Sequence, residues 1–429
     1  MKRFLILGVF PAVVGAQTGA RAITLEEAIR LAQLNSPSTV SARGQVRASD
    51  AAVRTAYGTF LPTFSMSAGA SSSNGENLGP NGRLVPISTP WSFSRGLNSN
   101  LEVFDAGRRL FNLRNAQAEQ DAAESSVRLS NYRVALDVSQ QYFNILAARE
   151  SRAAAQAQFA QADQQLKVAS ARVAAGAATK SDSLRSVIAV GNAQLSILNA
   201  ENNIRVAAAN LSRIVGTNND VTAVSEEGAA IAQVRLDSVE VRRMLEESPS
   251  IVAARHQLAA TVQARRSART SYWPTLSLGY GFSGQRTDEA FAPTGGPFSS
   301  LRTLRLNFNY QLFNGLTREE NQARASIAET NAQATLRDAR LSAEQQLTQL
   351  LGSLRLAEAR IGIQLSSVEA GEEDLRVQNQ RYALGSSTLL DVLTSQSTLN
   401  QARFSLIQAR YDARLAKAQI EALLGRTIP

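Results

Sequence analysis

The chain has 429 residues, 45 Lys and Arg against 36 Asp and Glu, a formal charge of +9, one histidine and no cysteine. Without cysteine there is no disulfide framework, thiolate metal site, cysteine nucleophile or acylated cysteine at a processing site, so any membrane attachment must come from the fold. The basic residues are spread along helical patterns and do not cluster with aromatics, which points to a solvated surface and away from nucleic acid.

Met1-Lys2-Arg3, an apolar run over residues 4–14 and small-residue sites ending at Ala16 and Ala22 predict an export signal over 1–22, cleaved after one of those alanines. The apolar run is too short for the roughly 20 residues of a membrane-spanning helix. A helix is predicted over 24–57, opened by Thr24 with Glu27 three positions on, a capping-box arrangement. Period-two alternation around Phe64 and Met66 predicts a strand over 63–70. An exposed loop over 71–90 follows, then a second strand in which Leu97, Leu101 and Val103 alternate with Asn98, Asn100 and Glu102. Residues 108–175 contain neither Gly nor Pro, which predicts one rod-like helix of about 100 Å at ~1.5 Å per residue. The rod stops at Gly176, and a returning helix over 179–215 is about half as long.

After a linker at 217–236 the pattern repeats. Ser36-Pro37-Ser38 recurs as Ser248-Pro249-Ser250 and Phe60-Leu61-Pro62-Thr63 as Tyr272-Trp273-Pro274-Thr275, while Arg172, Gly176, Asp182 and Gly216 match Arg381, Gly385, Asp391 and Gly425. Two domain-sized repeats, 23–216 and 237–429, imply a pseudo-symmetric structure read as one elongated body. In the second repeat Leu276, Leu278, Tyr280 and Phe282 alternate with Ser277, Gly279, Gly281 and Ser283. A loop over 285–300 separates them from Leu304, Leu306, Phe308, Tyr310 and Leu312, which alternate with polar residues up to Phe313. The rod over 316–384 carries Leu347, Leu354, Ile361, Val368 and Leu375 seven apart, joined by Leu336, Ala343, Leu350 and Ala357 in the complementary row, an a/d seam for lateral packing interrupted at Gln364 and Gly371, and turns at Gly385 into a helix over 388–424.

These strands suit either a soluble sheet with one buried face or a membrane barrel. The export signal and the aromatics at strand ends, Phe60, Trp91, Phe104, Tyr272, Trp273 and Phe313, favour the barrel with an interfacial girdle. Four strands cannot close, and open edges are not tolerated in lipid, so the chain must oligomerise. Two chains would give eight strands filled by their own side chains, and three would give twelve with room for a lumen. The rods would continue the barrel as a tube closed at the Gly176 and Gly385 turns, with the linker at mid-tube. The strand and helix arithmetic by itself requires only an oligomeric barrel with long helical rods. No His-x-x-His, phosphate-binding glycine loop or serine elbow appears, so no enzyme chemistry and no cofactor are expected. His256 reads as a surface residue.

The duplicated Leu-x-x-Ala, Ser-Pro, Leu-Pro-Thr and Phe-Asp/Asn-Gly elements, with the run from Tyr382 through Gly385 to Asp391-Val392-Leu393, resemble the TolC-like outer-membrane efflux channel family over the whole mature chain. The resemblance implies the fold class, an α+β membrane protein that forms a homotrimer in outer-membrane lipid: four transmembrane strands per chain in a twelve-stranded trimeric barrel, continued by a long periplasmic α-helical barrel with coiled-coil packing. It also implies pairing with an inner-membrane pump of RND or ABC type through a periplasmic adaptor, in drug efflux or type I secretion. It implies a gate at the hairpin tips, where Asp391 matches an inward aspartate and Ser181, Asp182 and Tyr382 match partners in the gate network. Thr394 stands where a second ring aspartate would be, and Ser387 where an arginine would hold the closed state, which implies a less acidic ring. Asp391 and Asp182 equally suit simple caps of the returning helices. The rival reading of the whole chain is a soluble periplasmic coiled-coil scaffold or adaptor.

Overall fold

The computed structural model describes residues 21–78, 80–217, 221–224 and 238–428. The expected signal lies outside them up to residue 20, as does most of the linker. In chain order the elements are β1 (Arg21–Ile23), α1 (Leu25–Asn35), α2 (Pro37–Gly58), β2 (Thr63–Ser71), β3 (Asn74–Leu78), β4 (Leu84–Ser88), β5 (Trp91–Phe104), α3 (Arg108–Ala174) and α4 (Lys180–Val215). They continue with β6 (Val221–Ala223), α5 (Ser238–Leu245), α6 (Pro249–Arg269), β7 (Thr275–Asp288), β8 (Ser299–Asn309), α7 (Thr317–Ala383) and α8 (Leu389–Leu424). None of the described helices is long and apolar enough to cross a membrane.

Two local features differ from the sequence reading. The leading helix is two helices, because Pro37 disfavours the helical conformation at Ser36, which is extended (φ −60°, ψ 131°), and then itself opens α2. The loop over 71–90 contains the hairpin β3–β4, turned near Gly82 at φ +68° and tied by Ser88 Oγ donating to Asn74 Oδ1 at 2.9 Å.

The described residues fold as two compact units that cut across the repeats: those within 21–41, 128–217, 221–224, 238–248 and 343–428 form one, and those within 42–127 and 249–342 form the other. The first unit is built on a short parallel ladder, β1 against β6, pairing Ile23 with Ala223. Ile23, Val138, Tyr142, Ile145, Leu211, Val215 and Val221 close around it, each almost fully buried. Tyr142 Oη donates to the Val224 carbonyl (2.9 Å) and stands 3.3 Å from the Ile23 carbonyl, which accepts from the Val224 backbone N–H (3.1 Å), so the added strand leaves these acceptors satisfied. Along α3, Ala148, Ala155, Ala162 and Ala169 recur every seven residues and are buried, as are Ser186, Ala193, Ala200 and Ala207 along α4. On α7, Leu347, Leu354 and Leu375 of the expected seam are buried, while Ile361 and Val368 are half-buried. A second heptad row, Leu356, Ile363, Val377 and Leu384, is uncovered, and so are Leu184, Ile188 and Leu195 on α4.

The second unit carries an antiparallel sheet in the order β2-β5-β7-β8, leaving β2 and β8 as unpaired edges. Its register sorts the side chains by face. One face presents Phe64, Met66, Leu97, Leu101, Leu276, Leu278, Tyr280, Phe282, Leu304, Leu306 and Phe308, and the other Ser65, Ser67, Asn98, Asn100, Ser277, Gly279, Gly281, Ser283, Thr303, Arg305 and Asn307. The apolar face is bare: Met66 is 85 % exposed and Leu304 71 %. Strand β5 turns into α3 through Asp105, whose carboxylate accepts from the backbone N–H groups of Gly107 (3.0 Å) and Arg109 (2.8 Å) while Ala106 and Gly107 adopt positive φ. Leu113 and Ala116 of α3 then pack on Val53 of α2.

Candidate functional site

Both helical hairpins end in the first unit. At each turn a glycine holds the left-handed conformation, Gly176 at φ +74° and Gly385 at φ +75°, so the chain reverses without Cβ strain. Each returning helix opens with a threonine and an aspartate three positions on. Asp182 Oδ2 accepts from Thr179 N (3.0 Å) and Oγ1 (2.8 Å), and Asp391 Oδ2 accepts from Thr388 N (2.8 Å) and Oγ1 (2.8 Å). The hydrogen bond from the Thr388 backbone, then that from its side chain, hold the Asp391 carboxyl below the usual carboxylate range. Asp391 is exposed, and it can both cap α8 and face a neighbour or solvent.

Tyr382 is the one expected gate residue that is buried. It belongs to a buried cluster with Leu375, Leu389, Val392 and Leu399, and its hydroxyl finds no partner among the described residues. The tie to Tyr382 comes from a residue the sequence reading left out of the site. Arg172, in the last turn of α3, donates from Nη1 to the Tyr382 carbonyl (2.9 Å) and from Nη2 to the Ala383 carbonyl (3.0 Å), with its guanidinium carbon 4.4 Å from the Tyr382 ring centre. The one arginine thus caps the C-terminus of α7 and joins the first hairpin tip to the second. Its signal in the sequence was the match between Arg172 and Arg381 in the repeats.

The other expected residues stay local. Ser387 Oγ donates to the Gln378 carbonyl at 3.4 Å, Thr394 Oγ1 to the Leu390 carbonyl at 2.8 Å, and Ser181 is exposed on the first turn of α4. Among the described residues no hydrogen bond joins Ser181 or Asp182 to Tyr382. Further along the same unit an open cleft of about 530 Å³ is lined by amides such as Gln141, Asn199 and Gln408 alternating with alanines, serines, Val206 and Phe404, with no charged side chain among them.

In the second unit, Phe60, Phe104, Tyr272, Trp273 and Phe313 all lie at the end of the sheet where the strands meet their helices. Arg109 stacks on Phe60 (5.1 Å) and Arg318 on Tyr272 (5.0 Å), while Trp273 and Phe313 stand 64 % and 75 % exposed. Trp91 is at the opposite end, edge-on to Phe291 at 4.8 Å and near Phe93. His256, on α6, has Nδ1 3.8 Å from Asp121.

A sheet bare on its apolar face, unpaired at both edges and continuous with 67-residue helices defines the architecture of an outer-membrane channel subunit. The family model described as outer membrane efflux protein matches residues 28–217 and 241–426, and the chain belongs to that family. It is 26 % identical to protein CyaE of Bordetella pertussis over 89 % of this chain and 79 % of that one, and 23 % identical to outer membrane protein TolC of Vibrio cholerae over 99 % and 96 %. The fold matches the crystal structure of CusC with a TM-score of 0.82 at 19 % identity, covering 95 % of this chain and 94 % of that one. The chain is thus a TolC-like outer-membrane factor, an efflux channel protein of the outer membrane with a periplasmic extension.

Proposed function

We propose that three copies of this chain join their four-stranded sheets edge to edge into a twelve-stranded barrel. The helical hairpins continue it as a periplasmic tube that receives cargo from an inner-membrane pump of RND or ABC type through a periplasmic adaptor. The sheet carries the reading: its apolar face is exposed and both edges, β2 and β8, are free, a state that lipid permits only after closure with other copies. The uncovered rows on α4 and α7 supply matching apolar surface for lateral contact between copies. In this arrangement the hairpin tips are the gate. Asp391 from each copy faces the axis while also capping α8, and Arg172 keeps the two tips of each protomer together. A ring of three carboxylates attracts cations.

The test is conductance of the detergent-purified protein in planar bilayers, comparing the parent with Asp391→Ala, with and without a trivalent cation on the tunnel side. Small parent currents that a trivalent cation blocks, with the block lost in the variant, support the gate. Protein that stays soluble without detergent and never conducts overturns the channel and returns the soluble scaffold.

A further inference from the structure

The apolar face of the sheet does not stay apolar along its whole length. On β7 its residues run Leu276, Leu278, Tyr280, Phe282, Gly284 and Arg286, moving away from the helices. Cross-strand partners share a face, so Arg302, opposite Phe282, and Arg95, opposite Gly284, lie on the same side as Arg286, which is opposite Phe93. Three arginines therefore occupy three successive registers at the loop end of a surface that is otherwise hydrocarbon-like. A membrane strand needs roughly 9–11 residues to cross. Arg286 lies ten residues from Leu276 and so reaches the far interface, where an arginine on a lipid-facing surface costs only about 0–1 kcal/mol.

The site is built, with aromatics holding two of the three guanidiniums. Arg95 stacks 4.3 Å from the Phe298 ring centre and Arg286 lies 4.7 Å from Phe93 and 5.3 Å from Phe298. Arg286, its side chain 7 % exposed, also donates to the Ala292 carbonyl and lies 3.6 Å from Asp288, yet its Nε is buried with no acceptor. Arg95 and Arg302 have no carboxylate or hydrogen-bond acceptor among the described residues, and Arg302 is exposed. Asp288, the last residue of β7, pairs with Arg286, and Glu289 beside it is exposed. Loop clamping accounts for Arg286 and does not account for the free donors of Arg95 and Arg302.

Resting on the barrel reading above, we propose that this rim binds the phosphate groups of a lipid headgroup in the leaflet on the loop side. A planar guanidinium fork matches phosphate oxygens, and the flanking aromatics Trp91, Phe291 and Phe298 suit the interface at that depth.

The test uses the full-length protein in neutral detergent. Its thermal midpoint, followed by tryptophan fluorescence, is titrated with a bisphosphorylated glucosamine-disaccharide lipid, with the same lipid after dephosphorylation, and with inorganic phosphate. The phosphorylated lipid is expected to stabilise the parent selectively, with apparent affinity falling about fivefold in Arg302→Gln and about 25-fold in Arg95→Gln/Arg302→Gln. Equal stabilisation by the dephosphorylated lipid or by inorganic phosphate, or unchanged affinity in both variants, overturns the proposal. Conductance of the same preparations separates the two ideas. Channels that open without phosphate preference overturn the headgroup site alone, whereas protein that never inserts overturns both.

Discussion

Truncating Arg172 to alanine tests whether the tip clamp restrains the gate. The side chain makes two charge-assisted bonds, to the carbonyls of Tyr382 and Ala383, and stacks on the Tyr382 ring. The tip is partly exposed and water replaces the guanidinium at both carbonyls, so the loss is the net value of each bond and not a buried-acceptor penalty. Two bonds at the low end of the ordinary range plus a partly hydrated cation–π contact amount to about 2 kcal/mol, roughly a thirtyfold change in the ratio of joined to separated tips. Single-channel recording should show open probability rising by that order in Arg172→Ala. Arg172→Lys, which keeps the charge and loses the fork, should lie between. Thermal unfolding should move by only a few degrees at most, because about 2 kcal/mol is divided by an unfolding entropy that grows with chain length. An open probability within about twofold of the parent, or a large drop in thermal midpoint instead, would refute the clamp.

Ala193, fully buried in the alanine row of α4, leaves no room for a larger side chain. Ala193→Leu should destabilise by about 1–3 kcal/mol in chemical denaturation, while the same change at exposed Ala209 on the same helix should be near neutral. Asp391 has a lowered carboxyl in the folded state, so its contribution is present above its ordinary value near pH 4 and is lost as pH falls through the lowered one. Asp391→Asn should therefore lower stability at neutral pH, flatten the acid limb of the stability profile and leave stability at low pH little changed. Tyr411 is pushed well above its ordinary value by burial and then by its 2.7 Å hydrogen bond to Glu150, so the neutral phenol is favoured in the fold. Its contribution is full below about pH 10 and is lost as pH rises beyond that. Tyr411→Phe should cost about 1 kcal/mol at neutral pH and make unfolding less sensitive above pH 10, as read by denaturant midpoints across pH.

Periodicity is local, and what depends on local backbone geometry was legible in the chain itself. Alternation at Leu276, Leu278, Tyr280 and Phe282 marks a strand with one apolar face because successive side chains point to opposite sides. The glycines after each rod mark the reversals because a left-handed residue is needed there. Heptads on α7 were legible only in part. Leu347, Leu354 and Leu375 stand out as large residues, whereas the buried row of α3 is alanine in an alanine-rich helix and carries no contrast. The uncovered row at Leu356 and Ile363 is hidden in the sequence because one helix can carry two seams.

Pairings between distant segments were decided by tertiary structure. Arg172 meets the carbonyl of a residue 210 positions away, and no local pattern distinguishes it from the solvated arginines around it. The strand β1 is three residues long, too short to show a period, and exists because β6 and the Val224 backbone N–H complete its hydrogen bonds. Whether Asp391 caps a helix or faces a pore was left open by the sequence, and the fold shows the cap directly while leaving the carboxylate exposed. The arginine rim likewise needs three strands in register, since Arg95, Arg286 and Arg302 become neighbours on one face only through hydrogen bonds between β5, β7 and β8. Sequence thus set the elements and their amphipathic faces through side-chain period, and the folded chain chose which faces and ends meet, because that choice depends on loop closure and packing among segments hundreds of residues apart.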